Sequence, residues 1–422
     1  MLVVSFVSLA TLWREPRLEG VPERTVGRVP AWVDALCGAI GVAVFAAVVY
    51  AGLAGSESPQ ANLAPTFVYV LFWVGLVPVS LVLGNVFGAF SPWRALARAA
   101  AFASRSVSRT EAPPPLVYPQ RLGRWPAAVG ILAFAWVELV YRHGDDPATL
   151  AILALAYAAA QLVGMSLYGI DAWSRNGDAF GVYFGLVARL APLARREDRI
   201  VARPPLTGAA DLDPVPGTVA LLCVLIGSTA FDGASEGPVW TDVAPDLQAA
   251  FGDLGLGLSG ALEAAFSVGL VTCVLLVGLL YALGVLGMRL ARPRHGFGDL
   301  GRRFIHSLVP IAVAYVIAHY FSLLAYQGQA TAALASDPLG DGSDLLGTAD
   351  AGIDYGVISA TGIWYVQVGA LVVGHVAALV AAHDRALVLY RGRAATLSQV
   401  LMLVVMIGFT GLGLWLLSAA NS

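Results

Sequence analysis

Residues 264–290, AAFSVGLVTCVLLVGLLYALGVLGMRL, form an apolar run whose one charged residue, Arg289, lies near its end. An α-helix rises about 1.5 Å per residue and the hydrocarbon core of a bilayer is about 30 Å thick, so about 20 apolar residues suffice to cross it. The run therefore predicts a membrane-spanning helix.

Nine further runs have the same character. They cover residues 1–13, 31–55, 66–84, 125–141, 149–169, 215–231, 304–326, 357–382 and 394–418. The predicted fold class is all-α: a polytopic integral membrane helix bundle of about ten transmembrane helices, forming a single transmembrane domain over residues 1–422.

The composition of the chain agrees with this prediction. Hydrophobic residues make up 58% and charged residues 13% of its 422 residues, and mean hydropathy is +0.74. Soluble proteins contain roughly 45–50% apolar and about 25% charged residues. The composition excludes a soluble enzyme, a nucleic-acid-binding protein and a disordered scaffold. Cys37, Cys223 and Cys273 lie in apolar runs, which supports neither a disulfide framework nor a zinc knuckle.

Arginine, which supplies all 25 basic residues, indicates the orientation of the helices. Every arginine except Arg142 ends or follows an odd-numbered run, and positive residues are retained on the cytoplasmic side of a membrane. We therefore predict a multi-pass protein of the cell membrane with both termini extracytoplasmic. The outer loops 232–263 and 327–356 are acidic instead, either to concentrate cations or because the host favours acidic surfaces.

The first run is too short for a complete span. Thirteen residues cover roughly 20 Å of helix, and no charged segment precedes them as in a signal peptide. We expect either a true start upstream of Met1 or a helix completed by another protein.

The two long cytoplasmic loops, 91–124 and 171–214, each predict a helix lying on the membrane surface. Ser91 can cap a helix that begins with Pro92, and aromatic residues then alternate with arginines. The stretch 178–190 is similar. Because the two loops follow the third and fifth runs, they hint at a duplicated unit. The proline-rich stretch 105–119 predicts an extended linker.

Three residues with metal-ligand and acid–base chemistry lie deep in predicted spans. Counted along the helix from the inner end of each run, Glu138 lies about 20 Å deep, His319 about 22 Å and Asp232 about 26 Å. Ionisable groups inside a bilayer cost several kcal/mol unless they face a partner or a cavity. We therefore predict that Glu138, Asp232 and His319 form a catalytic site in the outer third of the bilayer.

Two chemistries are open for these three residues. Two carboxylates and an imidazole could bind a divalent metal such as Zn²⁺ or Mn²⁺ and activate water. Without a metal they could act as general acids and bases. Helical spacing and depth predict a substrate-lining set of Tyr315, Ser322, Tyr326, Trp364 and Gln367.

Each of the three residues also has a structural interpretation. Glu138 could pair with Arg142 one turn away. Asp232 could be the turn former of the sequence Asp-Gly-Ala-Ser at 232–235. His319 could be a hydrogen-bonding link between helices.

A second candidate cluster lies near the cytoplasmic ends of the helices. Its members are His306, His375, His383, Asp384 and Asp171. His375 lies about 27 Å below the outer end of its run, too deep to ligate one haem together with His319. The alternative for residues 383–385, His-Asp-Arg, is a solvated helix end.

Several strings together resemble a known family. They are Val3-Val4-Ser5-Phe6-Val7, residues 12–19, Gly84-Asn85-Val86, Ser91-Pro92-Trp93-Arg94, residues 168–192, residues 228–233, Ala318-His319-Tyr320, Gly374-His375 and residues 382–385. Nearly the whole chain resembles the bacterial integral-membrane proteins known as fenitrothion hydrolase. The resemblance implies a membrane-bound hydrolase of organophosphate triesters, acting with a homologous subunit or other membrane protein. It also implies an exported His-Gly segment before the first helix, which this sequence lacks; if that histidine is a ligand in the family, the site here is incomplete.

Three functions follow as alternatives. The first is an enzyme at Glu138, Asp232 and His319 that hydrolyses an apolar small molecule taken from membrane lipid. The second is a transporter or metal-handling permease in which Glu138 and His319 relay protons or cations, with Pro78 and the glycines of 284–287 breaking helices. The third is a non-catalytic subunit whose polar residues fix helix register. No nucleic-acid partner is expected.

Overall fold

The computed structural model describes residues 1–107, 114–291 and 295–420. Three of the arginines used for orientation, Arg109, Arg292 and Arg294, lie outside the described residues, as does the centre of the predicted linker 105–119.

The described chain is mainly helical. Its first half contains α1 (Leu2–Leu12), α2 (Ala31–Ala54), α3 (Leu63–Pro65), α4 (Leu76–Leu83), α5 (Val86–Phe90), α6 (Pro92–Val107), α7 (Trp125–Leu139), α8 (Pro147–Tyr168), α9 (Ile170–Asn176) and α10 (Ala179–Val187). Its second half contains α11 (Thr207–Ala210), α12 (Thr218–Ser235), α13 (Pro238–Asp253), α14 (Leu258–Leu290), α15 (Phe297–Phe304), α16 (Leu308–Gln327), α17 (Ala330–Ser336), α18 (Ala360–Leu389), α19 (Arg393–Leu397) and α20 (Val400–Ala420). A π-helical segment, Thr66–Gly75, joins α3 to α4, and 3₁₀ turns at Ala188–Leu190 and Ile305–Ser307 extend α10 and join α15 to α16.

Eight helical segments in the described part of the chain are long and apolar enough to cross a membrane. They are Ala31–Ala54, Leu63–Leu83, Pro147–Tyr168, Thr218–Ser235, Leu258–Leu290, Phe297–Gln327, Ala360–Leu389 and Arg393–Gly411. Each corresponds to one predicted run, so length and composition confirm the helical membrane bundle and eight of its predicted helices. The other two predicted runs, 1–13 and 125–141, form the shorter apolar helices α1 and α7.

The helices α12 and α16 lie at the centre of the bundle. Both are more buried by protein than the other long helices. α12 packs on α7, α14 and α16, while α16 packs on α18 and on the π-helical segment. A helix that is apolar all round is expected in such a position. Asp232 of α12 and His319 of α16 are therefore carried by the two innermost helices.

A small antiparallel sheet, absent from the sequence prediction, joins two distant loops. Strands β1 (Arg24–Arg28), β2 (Leu193–Arg196) and β3 (Arg199–Ala202) lie in the order β1-β3-β2. β2 and β3 form a hairpin, and β1 pairs with β3 from Arg24–Ala202 to Arg28–Arg199. Such short strands depend on a partner far away in sequence, so no local pattern predicts them.

The loops meet at two ends of the bundle. At one end, Ser56 N donates to the Leu339 carbonyl at 2.7 Å, and Arg142 N donates to Glu263 Oε1 at 3.2 Å. We call this the acidic end; it contains the segments between α2 and α3, α7 and α8, α12 and α14, and α16 and α18. The sheet lies at the opposite, arginine-rich end. Loops that the arginine distribution places on one side of a membrane thus contact each other.

Two helical hairpins enter the bundle from the arginine-rich end and turn back inside it. At the turn between α5 and α6, Phe90 lies against Gly41, about three turns into α2, so close that a Cβ atom at Gly41 would come within 1.8 Å of the Phe90 carbonyl oxygen. At the turn between α9 and α10, Ala179 packs on Gly130 of α7. The tips meet where Trp93 Nε1 donates to Asp178 Oδ2 at 2.7 Å.

These hairpins correct the predicted membrane-surface helices. α10 is packed inside the protein, with Phe180, Tyr183, Phe184 and Leu190 all less than 9% exposed. Its apolar residues surround the helix on all sides, which is the pattern of a buried helix. α6 is buried only in its first turn, and Phe102 further along it is 69% exposed. Of the two predicted membrane-surface helices, only the second half of α6 lies at the surface of the described protein.

The predicted helix breaks also differ from those observed. The third span is irregular through ten residues of π-helix, Thr66–Gly75, which precede Pro78. Gly284 and Gly287 do not interrupt α14; they lie against Met402 and Leu401. Glycine there allows α14 and α20 to approach closely.

Candidate functional site

Asp232 and His319 form a hydrogen-bonded pair between α12 and α16. His319 Nε2 lies 2.9 Å from Asp232 Oδ2, and a carboxylate can only accept, so Nε2–H is the donor. Tyr320 OH donates to the same oxygen at 2.7 Å. The side chains of His319 and Asp232 are 26% and 24% exposed, so the pair is reachable from outside the protein core.

The hydrogen bond fixes the tautomer of the histidine. With the proton of neutral His319 on Nε2, Nδ1 carries a free lone pair. Nδ1 and Cε1 lie beside Gly233, where a Cβ atom would be 3.5 Å away. Gly233 therefore places no side chain against this nitrogen.

The turn predicted at 232–235 is replaced by helix. α12 continues to Ser235, and Ser235 Oγ donates to the Asp232 carbonyl at 2.8 Å. Asp232 is therefore held in a regular helical turn, and its carboxylate points to α16. The turn-former interpretation of Asp232 is wrong, because the helix extends beyond the apolar run.

Glu138 lies near this pair without bonding to it. The carboxylates of Glu138 and Asp232 are close enough to repel each other, and Glu138 is also within electrostatic range of Tyr320. It lies deep among protein atoms, yet part of its surface remains accessible. The alternative ion pair with Arg142 is not among the ion pairs of the described residues.

Two buried donors, one of them close to Glu138, have no hydrogen-bond partner among the described residues. They are Tyr183 OH and Trp73 Nε1, and their rings pack together with centroids 4.8 Å apart. Tyr183 is within electrostatic range of Glu138. Since buried polar groups are nearly always satisfied, these donors indicate a place for water or a polar ligand group beside Glu138.

Metal binding finds no geometric support in the described chain. Across residues 1–107, 114–291 and 295–420, no three or more His, Cys, Asp and Glu side chains are grouped closely enough to bind a metal ion. Asp232 and His319 supply two donors, and Glu138 does not join them. The bond between α12 and α16 fits the predicted hydrogen-bonding link between helices, and acid–base chemistry of the same pair stays a prediction.

Two of the five predicted substrate-lining residues bond away from the Asp232–His319 pair. Tyr315 OH donates to the Phe409 carbonyl at 3.2 Å, and Tyr326 OH to the Ile358 carbonyl at 3.1 Å, so both side chains bond elsewhere. Gln367 is buried, Trp364 is 44% exposed and contacts the Tyr365 ring edge to face, and Ser322 is half-buried. Tyr320 contacts Asp232, but the sequence analysis does not predict it as a site residue. Its position next to His319 is the one feature of the sequence that could have indicated it.

Two residues of the second candidate cluster, His383 and Asp384, bond to the segment after α1, and we call these contacts the latch on α18. Asp384 is 1% exposed and accepts three hydrogen bonds from the segment after α1: from Trp13 Nε1 at 3.0 Å, Arg17 N at 2.6 Å and Leu18 N at 3.2 Å. His383 Nε2 donates to the Trp13 carbonyl at 3.0 Å. Residues 383–385 are therefore not a solvated helix end; they hold the N-terminal segment against α18.

The other members of that cluster do not converge. His306 bonds to the carbonyls of Arg303 and Ala381 at 3.1 and 3.2 Å. His375 donates from Nδ1 to the Leu371 carbonyl at 2.7 Å, and its buried Nε2 has no partner in the part of the chain that the structure describes. Asp171 is exposed and pairs with Arg94 at 3.1 Å. Their separate partners identify these residues as local hydrogen-bonding groups.

Comparisons with known proteins add no family. The chain matches no known family model, and no curated protein or solved structure is significantly similar to it. The resemblance to fenitrothion hydrolase therefore stays a prediction.

Proposed function

We propose that the chain crosses the cell membrane ten times, with α1 and α7 as short spans and both termini on the outer side. Two facts support this topology. The eight long helices and these two short ones occupy the ten predicted runs, and the loops of each predicted side meet at one end of the bundle.

A labelling experiment tests the topology. Cys37, Cys223 and Cys273 would be replaced by alanine, and single cysteines introduced as Ser58→Cys at the acidic end or Asp198→Cys in the β2–β3 turn, both at exposed positions. A membrane-impermeant maleimide should label the first variant in intact cells and the second only after permeabilisation. The reverse pattern, or labelling of both in intact cells, contradicts the proposed orientation.

We further propose that the Asp232–His319 pair is the acid–base centre of a hydrolase acting on an apolar ester of the organophosphate type. One observation carries this proposal: Asp232 accepts from Nε2–H of His319 at 2.9 Å, so the lone pair of neutral His319 lies on Nδ1. A carboxylate that orients an imidazole in this way increases its capacity as a general base. The position at the acidic end allows an ester dissolved in the outer leaflet to reach it.

The reaction follows from this geometry. His319 Nδ1 accepts a proton from a water molecule while the water oxygen attacks the phosphorus. The bond to the alkoxy or aryloxy group breaks, and the imidazolium returns the proton to the departing oxygen. Asp232 stabilises the imidazolium through the Nε2 hydrogen bond and keeps its own charge.

The test uses the full chain in washed membranes and a nitrophenyl phosphotriester, with nitrophenolate release as the readout. We expect His319→Gln to lower the rate by about 10²–10⁴-fold, the usual contribution of general acid–base catalysis. His143→Gln, at an exposed histidine of the same end, is the matched control and should keep the wild-type rate. Equal rates for wild type and His319→Gln refute this centre.

A second candidate, a proton-coupled permease, is favoured by a different observation. Two helical hairpins and a π-helical segment place irregular backbone inside the bundle, which membrane proteins tolerate where it lines a cavity and use at transport sites. Glu138 would then be the proton carrier. Solute-driven pH change inside proteoliposomes that disappears in Glu138→Gln, without any ester hydrolysis, would support the permease over the hydrolase.

A further inference from the structure

A polar cavity of about 220 Å³ lies between the two helical hairpins at the arginine-rich end. We call it the arginine pocket. Its charged lining residues are Arg94, Arg124, Arg175, Arg189, Asp178 and Asp213. Arginines therefore outnumber carboxylates, and the pocket is positively charged.

Three of its four guanidinium groups form no ion pair in the described residues, namely those of Arg124, Arg189 and the exposed Arg175. Arg124 is 8% exposed and donates to Thr218 Oγ1 at 3.0 Å and to the Arg175 carbonyl at 3.5 Å. Arg189 Nη1 donates to the carbonyls of Gly208 and Asp211 at 3.2 and 3.3 Å. Neither arginine belongs to an ion pair of the described residues. A buried charge without a counter-charge is costly.

Electrostatics adds to this cost. Burial first and the nearby charge of Arg189 second lower the pKa of Arg124 to about 10, while Asp213 opposes the shift. Asp213 is exposed and interacts at a distance. The two arginines therefore repel each other across the pocket.

The lining carboxylates compensate this positive charge only in part, because Asp178 and Asp213 interact with the arginines at a distance and form no ion pair in the described residues. Arg94 pairs with Asp171 through Nη2, but its Nε is buried without a hydrogen-bond partner. Asp178 accepts from Trp93 Nε1 at 2.7 Å, Tyr157 OH at 2.8 Å and Gly181 N at 3.1 Å. Because its oxygens are occupied by these neutral donors, Asp178 serves the hairpin tips rather than the arginines.

We propose that the arginine pocket binds a phosphate group. Guanidinium groups bind phosphate oxygens through paired, charge-assisted hydrogen bonds, and a phosphate would supply the missing counter-charge of Arg124 and Arg189. The pocket is smaller than the roughly 300–1,000 Å³ of sites for drug-sized ligands. It accommodates a lipid headgroup phosphate or a free phosphate from the aqueous side.

A neighbouring cavity makes the lipid a specific source to test. This apolar cavity of about 470 Å³ shares Phe87 with the arginine pocket, and its lining includes Trp93 and Tyr157, the residues that donate to Asp178. Only the polar edges of Trp93 and Tyr157 face Asp178. One lipid could thus place its phosphate in the arginine pocket and a hydrocarbon chain in the adjoining apolar cavity.

The experiment measures binding to the purified full chain in two arms. In neutral detergent, inorganic phosphate is titrated at constant ionic strength, and its Kd is obtained by calorimetry. In nanodiscs of phosphatidylcholine, the thermal unfolding midpoint is compared with and without phosphatidylglycerol. Variants Arg124→Gln and Arg189→Gln are compared with Arg199→Gln, which removes a charge from the exposed surface of β3 at the same end.

We expect both pocket variants to raise the Kd for inorganic phosphate at least about ten-fold, the equivalent of one lost charge-assisted hydrogen bond, or to lose the rise in unfolding midpoint that phosphatidylglycerol causes in the wild type. Arg199→Gln should bind as wild type does. If Arg124→Gln fails to fold because it loses Thr218, Arg189→Gln decides the test. An effect of phosphate alone identifies a free phosphate, and an effect of phosphatidylglycerol alone identifies a headgroup. No stabilisation by either probe, or equal losses in Arg199→Gln, overturns the proposal.

Discussion

Asp232 Oδ2 accepts hydrogen bonds from two consecutive residues of α16, Nε2–H of His319 and the hydroxyl of Tyr320, at 2.9 and 2.7 Å. One oxygen thus ties the two innermost helices together at the acidic end. The second donor matters because it holds the carboxylate at a fixed distance from the imidazole whether or not the imidazole is charged. Tyr320 is therefore a positioning residue for the pair.

Tyr320→Phe should separate positioning from acid–base chemistry. The variant removes one hydrogen bond to a charged group, worth about 1.5–3 kcal/mol, and leaves the His319 bond in place. We expect a lower thermal unfolding midpoint and a moderate loss of ester hydrolysis with a changed pH profile, compared with the much larger loss in His319→Gln. The control Tyr326→Phe removes a hydroxyl that bonds to the Ile358 carbonyl and should leave the pH profile unchanged. A wild-type profile in Tyr320→Phe would contradict the positioning role.

The latch on α18 gives a prediction about the N-terminal segment. In Asp384→Asn, the carboxylate that accepts from Trp13, Arg17 and Leu18 loses its charge. One of its oxygens is replaced by an NH₂ group, which faces donors and cannot accept from them. We expect a loss of stability on the order of 3 kcal/mol and faster tryptic cleavage after Arg14 and Arg17. Asp350→Asn, at an exposed position of the acidic end, is the control. Unchanged cleavage in Asp384→Asn would mean that the segment is held by other contacts.

The sequence predicted what depends on local pattern. Apolar length gave the spanning helices, and helical depth brought Asp232 and His319 to one layer. It did not predict α10 as a buried helix or the pairing of β1 with β3, because both depend on contacts between residues far apart in sequence. The sequence also does not predict which neighbouring helix each side chain of α16 contacts. Tyr315 bonds to α20 and His319 to α12, although their spacing predicts one common face.

Gly41 lies so close to the backbone of the α5–α6 hairpin tip that its replacement by alanine should destabilise the protein, unlike an ordinary Gly→Ala change in a helix. Gly→Ala inside a helix ordinarily stabilises by about 1 kcal/mol, and Gly408→Ala should do so because no atom lies within 4 Å of its Cβ position. Gly41→Ala would instead force a Cβ atom against the Phe90 carbonyl, which belongs to the backbone and cannot turn aside. We expect a loss of about 1–3 kcal/mol, measured as the thermal unfolding midpoint in detergent. Equal midpoints for the two variants would contradict the tight α2–α5 contact.

The ion pair beneath the sheet predicts a pH dependence of stability. Arg196 bonds both oxygens of Glu23 at 2.7 and 2.9 Å and thereby lowers the pKa of that carboxyl below its usual value. A carboxyl group whose pKa is lower in the folded protein than in the unfolded chain stabilises the protein at pH values above its unfolded pKa of about 4.3. This contribution is lost as the pH falls through the folded-state pKa. Glu23→Gln should therefore be less stable than wild type at neutral pH, by about 1 kcal/mol or less for so exposed a pair.

The midpoint difference between wild type and Glu23→Gln should shrink as pH falls below about 4.3. Glu57→Gln, at an exposed glutamate of the acidic end, should show no such trend. A difference that is constant with pH would mean that the carboxylate contributes through packing and not through its charge.

Gly233 offers the sharpest test of the free nitrogen on His319, because the Asp232–His319 bond lies on the opposite side of the ring. Gly233→Ala adds a methyl group at ordinary contact distance, 3.5 Å from Nδ1, and should raise stability slightly through helix propensity while keeping hydrolysis. Gly233→Leu adds a side chain long enough to cover Nδ1. We expect its hydrolysis rate to approach that of His319→Gln while the protein remains folded, since α12 and α16 keep their hydrogen bond. Full activity in Gly233→Leu would show that the attacking water is not activated at Nδ1 and would transfer the basic role to Glu138.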